Sequence, residues 1–539
     1  MEKSEDLDRV QASADSINKS TDDSVPQTHG GAKAEKAPYF GMTGTQLNIW
    51  VTVACTTAMT LFGYDQGVFG GIIVTDSFLQ TMGNPDPDLQ GTIVSLYDIG
   101  CFFGAISTFV FGERLGRKKT FMIGVVIMSI GAILQTCSFS VAQMIVARLI
   151  TGLGNGMNTS TAPVWQSETS KPSWRGKLVV FQMIMNIAGF SLSNWMTYGF
   201  SFLDGSVAWR FPIAFQLVFS FILLSTIPWL PESPRWLLAH GYTQEGVDVL
   251  VALEGKGVLP SDEVIVHQRE EILDAVQKER EVSIGWKDIL RGNTGGTGMI
   301  RRLVLGAGML PTPNTVDATV EALTAYRCSL PLVLQNSVGL SNTLARLLAA
   351  CNSVSYLAFS FIGLLLIERA GRRKLMMWGA AGQCVCYIFI SALLSRIGTG
   401  SVEDGRKFGA GATAFFFLYY VFFGICWQGV PWLYPTEINS LAMRTKGAAL
   451  GTASNWISNY IVVQITPSGI ANLGWRFYLI WVVFNAAFVP LVYLFYPETS
   501  NRHLEDIDKF YRDSRDTVWV FKNKEATQVE RPERFIERK

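Results

Sequence analysis

Apolar residues in this chain collect in blocks of roughly 18–25 residues, the length a helix needs to cross about 30 Å of hydrocarbon. This constrains the fold more than any other feature. In lipid, every backbone N–H and C=O must be satisfied within the spanning segment, and blocks of this length satisfy them as helices. Twelve spans can be marked, at about 47–72, 90–111, 120–139, 141–165, 177–200, 209–230, 301–335, 341–367, 373–395, 411–433, 444–469 and 474–496. Composition agrees, with 49% of the 539 residues apolar and 17% charged, against about a quarter charged in soluble domains. A net charge of +1 leaves no footprint for nucleic acid. The eight Cys are scattered, and His29, His240, His267 and His503 do not cluster. No metal site, cofactor or His-based catalytic site is expected, and the chain reads as a non-enzyme.

The blocks are punctuated by a repeat. Gly112-Glu113-Arg114-Leu115-Gly116-Arg117-Lys118-Lys119 follows span two, and Glu368-Arg369-Ala370-Gly371-Arg372-Arg373-Lys374 follows span eight. Glu168 precedes Arg175 after span four by the same offset that separates Glu437 from Arg444 after span ten. Pro231-Glu232-Ser233-Pro234-Arg235-Trp236 closes the first six spans, and Pro497-Glu498-Thr499-Ser500 closes the second six. Three matched sites predict an all-α integral membrane protein of two pseudo-symmetric six-helix bundles, with a substrate site between them.

Basic clusters follow the even-numbered spans, whereas residues 73–89 contain no Lys or Arg. Both termini are therefore expected in the cytoplasm. The expected organisation is a polar tail at 1–46, a bundle at 47–230, a cytoplasmic helical insert at 231–300, a second bundle at 301–496 and a tail at 497–539. Within the insert, 243–253 and 261–280 carry apolar residues at helical spacing.

Over about 47–510 the residues resemble the sugar porter family of the major facilitator superfamily. The resemblance is carried by the two loop motifs, by Pro231-Glu232-Ser233-Pro234-Arg235-Trp236-Leu237 and by Tyr434-Pro435-Thr436-Glu437. The first span, Phe62-Gly63-Tyr64-Asp65-Gln66-Gly67-Val68-Phe69-Gly70-Gly71, most resembles fungal hexose and polyol carriers. The family implies bundles that rock about a midplane site and import a monosaccharide with or without a proton. A monomer in the plasma membrane, handling a sugar or polyol, is the expectation. A polyol (glycerol) proton symporter and a non-transporting sugar sensor are the alternatives. A C-terminal tail of only about forty residues favours the porter.

Ionisable residues inside spans are costly and usually functional. Asp65 in span one and Arg148 in span four are expected to pair, with Asp65 carrying the proton and Arg148 gating it; a structural salt bridge is the other reading. At the cytoplasmic ends, Glu113, Arg114, Arg117, Glu168, Arg175, Glu232, Arg235, Glu368, Arg369, Arg372, Glu437 and Arg444 are expected to form inter-helix latches that close the inner gate. For the substrate, the family pattern lands on Trp432 and Asn455, with Asn459 one turn on. The family Asn of span eight aligns with Tyr356, and Asn352 lies one turn away. In span five Met183 stands where the family has Gln, leaving Gln182 and Asn186 as candidates. The first loop motif also departs from the family, with Phe109 where Gly is usual and Glu113 where Asp is usual.

Span seven is aberrant. The family carries Gln-Gln-x-x-Gly-x-Asn there, but this chain reads Leu310-Pro311-Thr312-Pro313-Asn314 and then Asp317, Glu321 and Arg327. Two prolines and three ionisable residues are incompatible with an ordinary spanning helix. Residues 310–329 are expected to be a broken helix or loop, and the chain as written to be an impaired transporter. A misassigned coding segment and a real lesion both remain open.

Overall fold

The computed structural model describes residues 38–171, 174–282, 301–302, 305, 334–335, 338–397, 401–439, 444–500, 502, 507, 510–511 and 519–529. Of the unit Met1–Gly41 it describes a single 3-10 turn, Pro38–Gly41. All other elements belong to the unit Met42–Lys539, and among the described residues each of them is a helix.

The first half contains α1 (Thr45–Ile72), α2 (Pro87–Leu115), α3 (Arg117–Thr136), α4 (Val141–Thr169), α5 (Arg175–Phe200) and α6 (Val207–Thr226). Three polar-loop helices follow: α7 (Pro234–Ala239), α8 (Thr243–Glu254) and α9 (Glu263–Val282). The second half contains α10 (Asn342–Arg369), α11 (Arg372–Leu394), α12 (Val402–Cys426), α13 (Val430–Ile438), α14 (Arg444–Leu473) and α15 (Phe477–Phe495). The expected broken seventh span, residues 310–329, lies outside the described residues. Among those described, nine stretches are long and apolar enough to cross a membrane, and the last of them, Leu450–Phe495, contains both α15 and most of α14. Helix α4 falls outside that set, its hydropathy lowered by Arg148, Asn155 and Asn158, all three of which are buried.

The helices turn apolar side chains outward. Phe221, Leu365 and Val483 are 73%, 67% and 65% exposed, as expected where lipid covers the surface. Without a hydrophobic drive between helices, tight association relies on small residues. A Cβ on Gly104 would lie 2.2 Å from the Leu153 carbonyl, and one on Gly156 would lie 2.1 Å from the Cys101 carbonyl, so α2 and α4 pack backbone to backbone.

Helix starts repeat between the halves. Asp86 and Ser140 accept hydrogen bonds from Leu89 N and Gln143 N at the starts of α2 and α4. Ser341 and Ser401 do the same for Leu344 N and Asp404 N at the starts of α10 and α12. Each cap satisfies a backbone donor that has no partner inside its helix. The halves meet along two related seams, α2 with α14 and α5 with α10. Separately, α8 is bound to the start of α1. Gly44 N donates to Ala252 O at 2.7 Å and Asn48 Nδ2 donates to Leu253 O at 3.2 Å. Lys171, just past α4, pairs with Glu254 at 3.1 Å.

Candidate transport site and motif clusters

At the basic-loop end of the first half, Gly116 ends α2 and begins α3 with φ of 87°. A Cβ there would lie 2.6 Å from Glu232 Oε2, so the position suits glycine in both conformation and space. Glu232 accepts from Arg117 N at 2.9 Å and Lys118 N at 3.1 Å, placing a carboxylate on the positive end of α3. Burial nevertheless raises Glu232 above the ordinary carboxylate range, outweighing the N–H donations from Ser233, Lys118 and Arg117. The Arg117 side chain forms a bidentate pair with Glu168 of α4, both contacts at 3.0 Å, the stronger geometry for such a pair.

The second half repeats this geometry. Gly371 has φ of 83° and would place a Cβ 2.3 Å from Glu498 Oε2. Glu498 accepts from Arg372 N at 2.9 Å and Arg373 N at 3.1 Å. Arg372 pairs with Glu437 of α13 at 2.8 Å. Glu437 also accepts from Thr499 Oγ1 at 2.6 Å, and burial raises it despite Arg372 and Thr499.

Each cluster therefore joins helices within its own half. Glu113 contributes its backbone carbonyl, which accepts from Trp236 Nε1 at 2.5 Å. Among the described residues no ion pair is recorded for Arg114 or Arg369. Arg235 and Glu368 have other partners. The side chains of Arg175 and Arg444 lie outside the described set.

Deeper in the first half, Asp65 is fully buried and Arg148 is 2% exposed. Arg148 Nη1 donates to Asp65 Oδ2 at 3.3 Å and Nη2 to Val94 O at 3.1 Å. The guanidinium lies over the Phe69 and Tyr97 rings, 4.0 and 4.3 Å from their centroids, a favourable setting for a desolvated cation. The spans that carry the pair are thus joined at their buried polar residues.

The amide candidates separate into groups. Gln182 Nε2 approaches Gln166 Oε1 at 3.5 Å, and Asn186 Nδ2 approaches Met59 O at 3.5 Å, so both contacts stay within the first half. Asn352 is buried on α10, and its Oδ1 has no hydrogen-bond partner among the described residues. Asn455 and Trp432 are half-buried. Asn459 crosses the interface and donates to Asp98 Oδ1 at 2.7 Å. Tyr356 donates its hydroxyl to Gln428 Oε1. Gln428 Nε2 in turn donates to Met183 O across the halves at 3.2 Å.

Gln428 lies in the break between α12 and α13, beside Gly429 and Pro431. It ties together Met183 and Tyr356, two positions at which the resemblance expects an amide. A crevice at the α5–α10 seam is lined by Val180, Ile184, Ser360, Ile367, Gln428 and Val430 among others, but not by Trp432, Asn455 or Asp65. Neither Gln428 nor Asp98 was singled out by the sequence reading. For Asp98 the signal was present, an acidic residue inside span two.

Two pseudo-symmetric helical bundles, repeated capped motifs and a buried ion pair between membrane spans define a secondary transporter of the major facilitator fold. The chain matches the family described as "Sugar (and other) transporter" over residues 50–511, and it belongs to that family. It is a multi-pass membrane transporter and not an enzyme. The MFS-type transporter oryC of Aspergillus oryzae is 53% identical over 509 residues, covering 94% of this chain and 92% of that protein. The sugar transporter STL1 of Saccharomyces cerevisiae is 35% identical over 492 residues, covering 89% and 84%. The same fold is seen in the proton:xylose symporter XylE bound to 6-bromo-6-deoxy-D-glucose, at a TM-score of 0.71 and 22% identity, covering 87% of this chain and all of that one. A partially occluded, inward-open form of XylE from E. coli gives 0.70 at 21% identity, covering 85% and 100%.

Proposed function

We propose that this protein imports a neutral polyhydroxylated molecule, a hexose or a polyol, together with a proton, as a monomer in the plasma membrane with both termini in the cytoplasm. The observation that carries the reading is the buried Asp65–Arg148 pair between α1 and α4. A carboxylate at membrane depth, matched by one cation, can alternate between charged and neutral forms as its access changes. In this reading Trp432 supplies an aromatic face to the sugar ring, while Asn455 and Gln428 supply hydrogen bonds. The relatives include a high-affinity glucose transporter of Kluyveromyces lactis and a quinate permease of Neurospora terricola, 28% and 29% identical. The motif clusters act as latches that keep each half rigid at its cytoplasmic end while the halves rock.

The seventh span lacks the family amides, and each buried hydrogen bond lost there costs about 1–3 kcal/mol. The chain as written therefore transports weakly. The test uses proteoliposomes offered labelled glucose, xylose and glycerol under an imposed pH gradient. Two proteins are compared, the chain as written and one carrying Gln-Gln-x-x-Gly-x-Asn in the seventh span. Accumulation by the second, with proton uptake and far above the first, is expected. If neither version moves any of the three, the assignment fails.

A further inference from the structure

The interface between the halves contains a second buried carboxylate that the transport scheme above leaves unused. Helices α2 and α14 run antiparallel along one seam, and their polar contacts form a ladder. Asp88 accepts from Ser468 at one end. Gln464 follows, accepting from Ser95 at 2.6 Å and donating to Thr92 Oγ1 at 3.0 Å. The last rung toward the middle of the membrane is Asp98, which accepts from Asn459 Nδ2 at 2.7 Å. Both residues of this rung are only 3% exposed. The rung lies between the halves and away from the basic-loop end.

Its hydrogen bonding is incomplete. Asn459 Oδ1 is buried and has no hydrogen-bond partner among the described residues. An ionised Asp98 can only accept hydrogen bonds, whereas a protonated Asp98 can also donate. The carboxylic acid and the carboxamide then form a two-point pair, with Nδ2–H to Oδ1 in one direction and O–H to Asn459 Oδ1 in the other. The ionisable groups around Asp98 are Asp65 from α1, Arg148 from α4, and Tyr97 and Cys101 from its own helix; α14 contributes Asn459. Arg148 spends its recorded hydrogen bonds on Asp65 and Val94, so it does not supply the missing donor.

We propose that Asp98 and Asn459 form a proton-operated latch between the two halves: protonated Asp98 clamps the α2–α14 seam, and its deprotonation releases it. Uptake of the proton favours the state closed on the side away from the basic loops. Loss of the proton to the other side removes one hydrogen bond, leaves a buried charge and lets that mouth reopen. The cycle order is that of inward proton symport, so the proposal rests on the transport reading above. The latch itself is testable without any cargo.

The experiment is hydrogen–deuterium exchange on the purified full chain in detergent, between pH 5 and 9, read as protection factors at 87–98 and 459–473. In the wild type, protection at both segments falls about tenfold from low to high pH, the ratio corresponding to about 1.4 kcal/mol. Asp98→Asn, whose amide can donate permanently, keeps high protection across the range. Asp65→Asn retains the fall, which separates this latch from the proton site in α1. Asn459→Leu loses protection at low pH, and serves as a second variant if Asp98→Asn folds poorly. A wild-type profile in Asp98→Asn, or a fall abolished by Asp65→Asn alone, overturns the latch. A failure of the proteoliposome assay with the latch profile intact overturns only the transport reading.

Discussion

Glu232 and Glu498 do the same work in the two halves: each carboxylate accepts the first two backbone N–H groups of the helix that follows a left-handed glycine. Arginines are the motif's most visible residues in the sequence, but its geometry is organised around an acidic residue more than a hundred positions later. Such a carboxylate fixes where the next helix begins and offsets the positive end of its dipole.

The titration of Glu232 has a definite sign. Burial raises its folded value above that of the unfolded chain. Its contribution to stability is full below the ordinary glutamate value of about 4.3 and is lost as pH rises through the raised value. Thermal melts of the detergent-solubilised protein should show this contribution declining from acidic toward neutral pH. Glu232→Gln, which keeps an acceptor for the N–H groups, should flatten that dependence; an unchanged slope would remove Glu232 as its source.

Gly371→Ala meets both a positive φ and the Glu498 carboxylate. A loss of roughly 1–3 kcal/mol is expected, read as a lower melting temperature. Gly405→Ala on α12, with open space around its Cβ, should be neutral or slightly stabilising. Equal effects at the two positions would show that the glycine turn is not under constraint.

Asp65→Asn should abolish uphill accumulation and leave substrate exchange at equilibrium nearly intact, because the amide fills the same space without carrying a proton. The comparison belongs in the version with the family-like seventh span. Accumulation that still follows the pH gradient in the mutant would exclude Asp65 as the carrier.

Trp432→Ala, Asn455→Ala and Gln428→Ala each remove a contact assigned to the cargo. Loss of a buried hydrogen bond of about 1–3 kcal/mol corresponds to a roughly 5- to 150-fold higher KM. Uptake kinetics should show this rise with surface expression unchanged. An unaltered KM in all three would move the site elsewhere.

The bundles and the repeated motif were legible in the sequence because both depend on local spacing: apolar block length for the spans, and short strings such as Arg369-Ala370-Gly371-Arg372 for the turns. Pro497-Glu498-Thr499-Ser500 was also visible as a repeat of Pro231-Glu232-Ser233-Pro234. Its role as a helix cap was not, because the capped N–H groups lie 126 and 125 residues away. The interior polar contacts were harder still. Asn459 is a cargo candidate only because it lies one turn beyond Asn455, and its amide meets Asp98 at a separation of 361 residues. No periodicity in one helix reveals which face of another it will meet. Gln428 was passed over because the family pattern points to Trp432 in that region, although Gln428 makes the inter-half contact.

The hydrogen bonds from Gly44 and Asn48 to the end of α8, with the Lys171–Glu254 pair beside them, fasten the polar-loop helices to the first half. Those helices should travel with that bundle as a pointer travels with a dial. A fluorophore on exposed Asp248 of α8 and another on exposed Trp378 of α11 would turn a tilt between the bundles into a change of distance. That distance reports conformation in a single molecule without labelling any residue of the transport path.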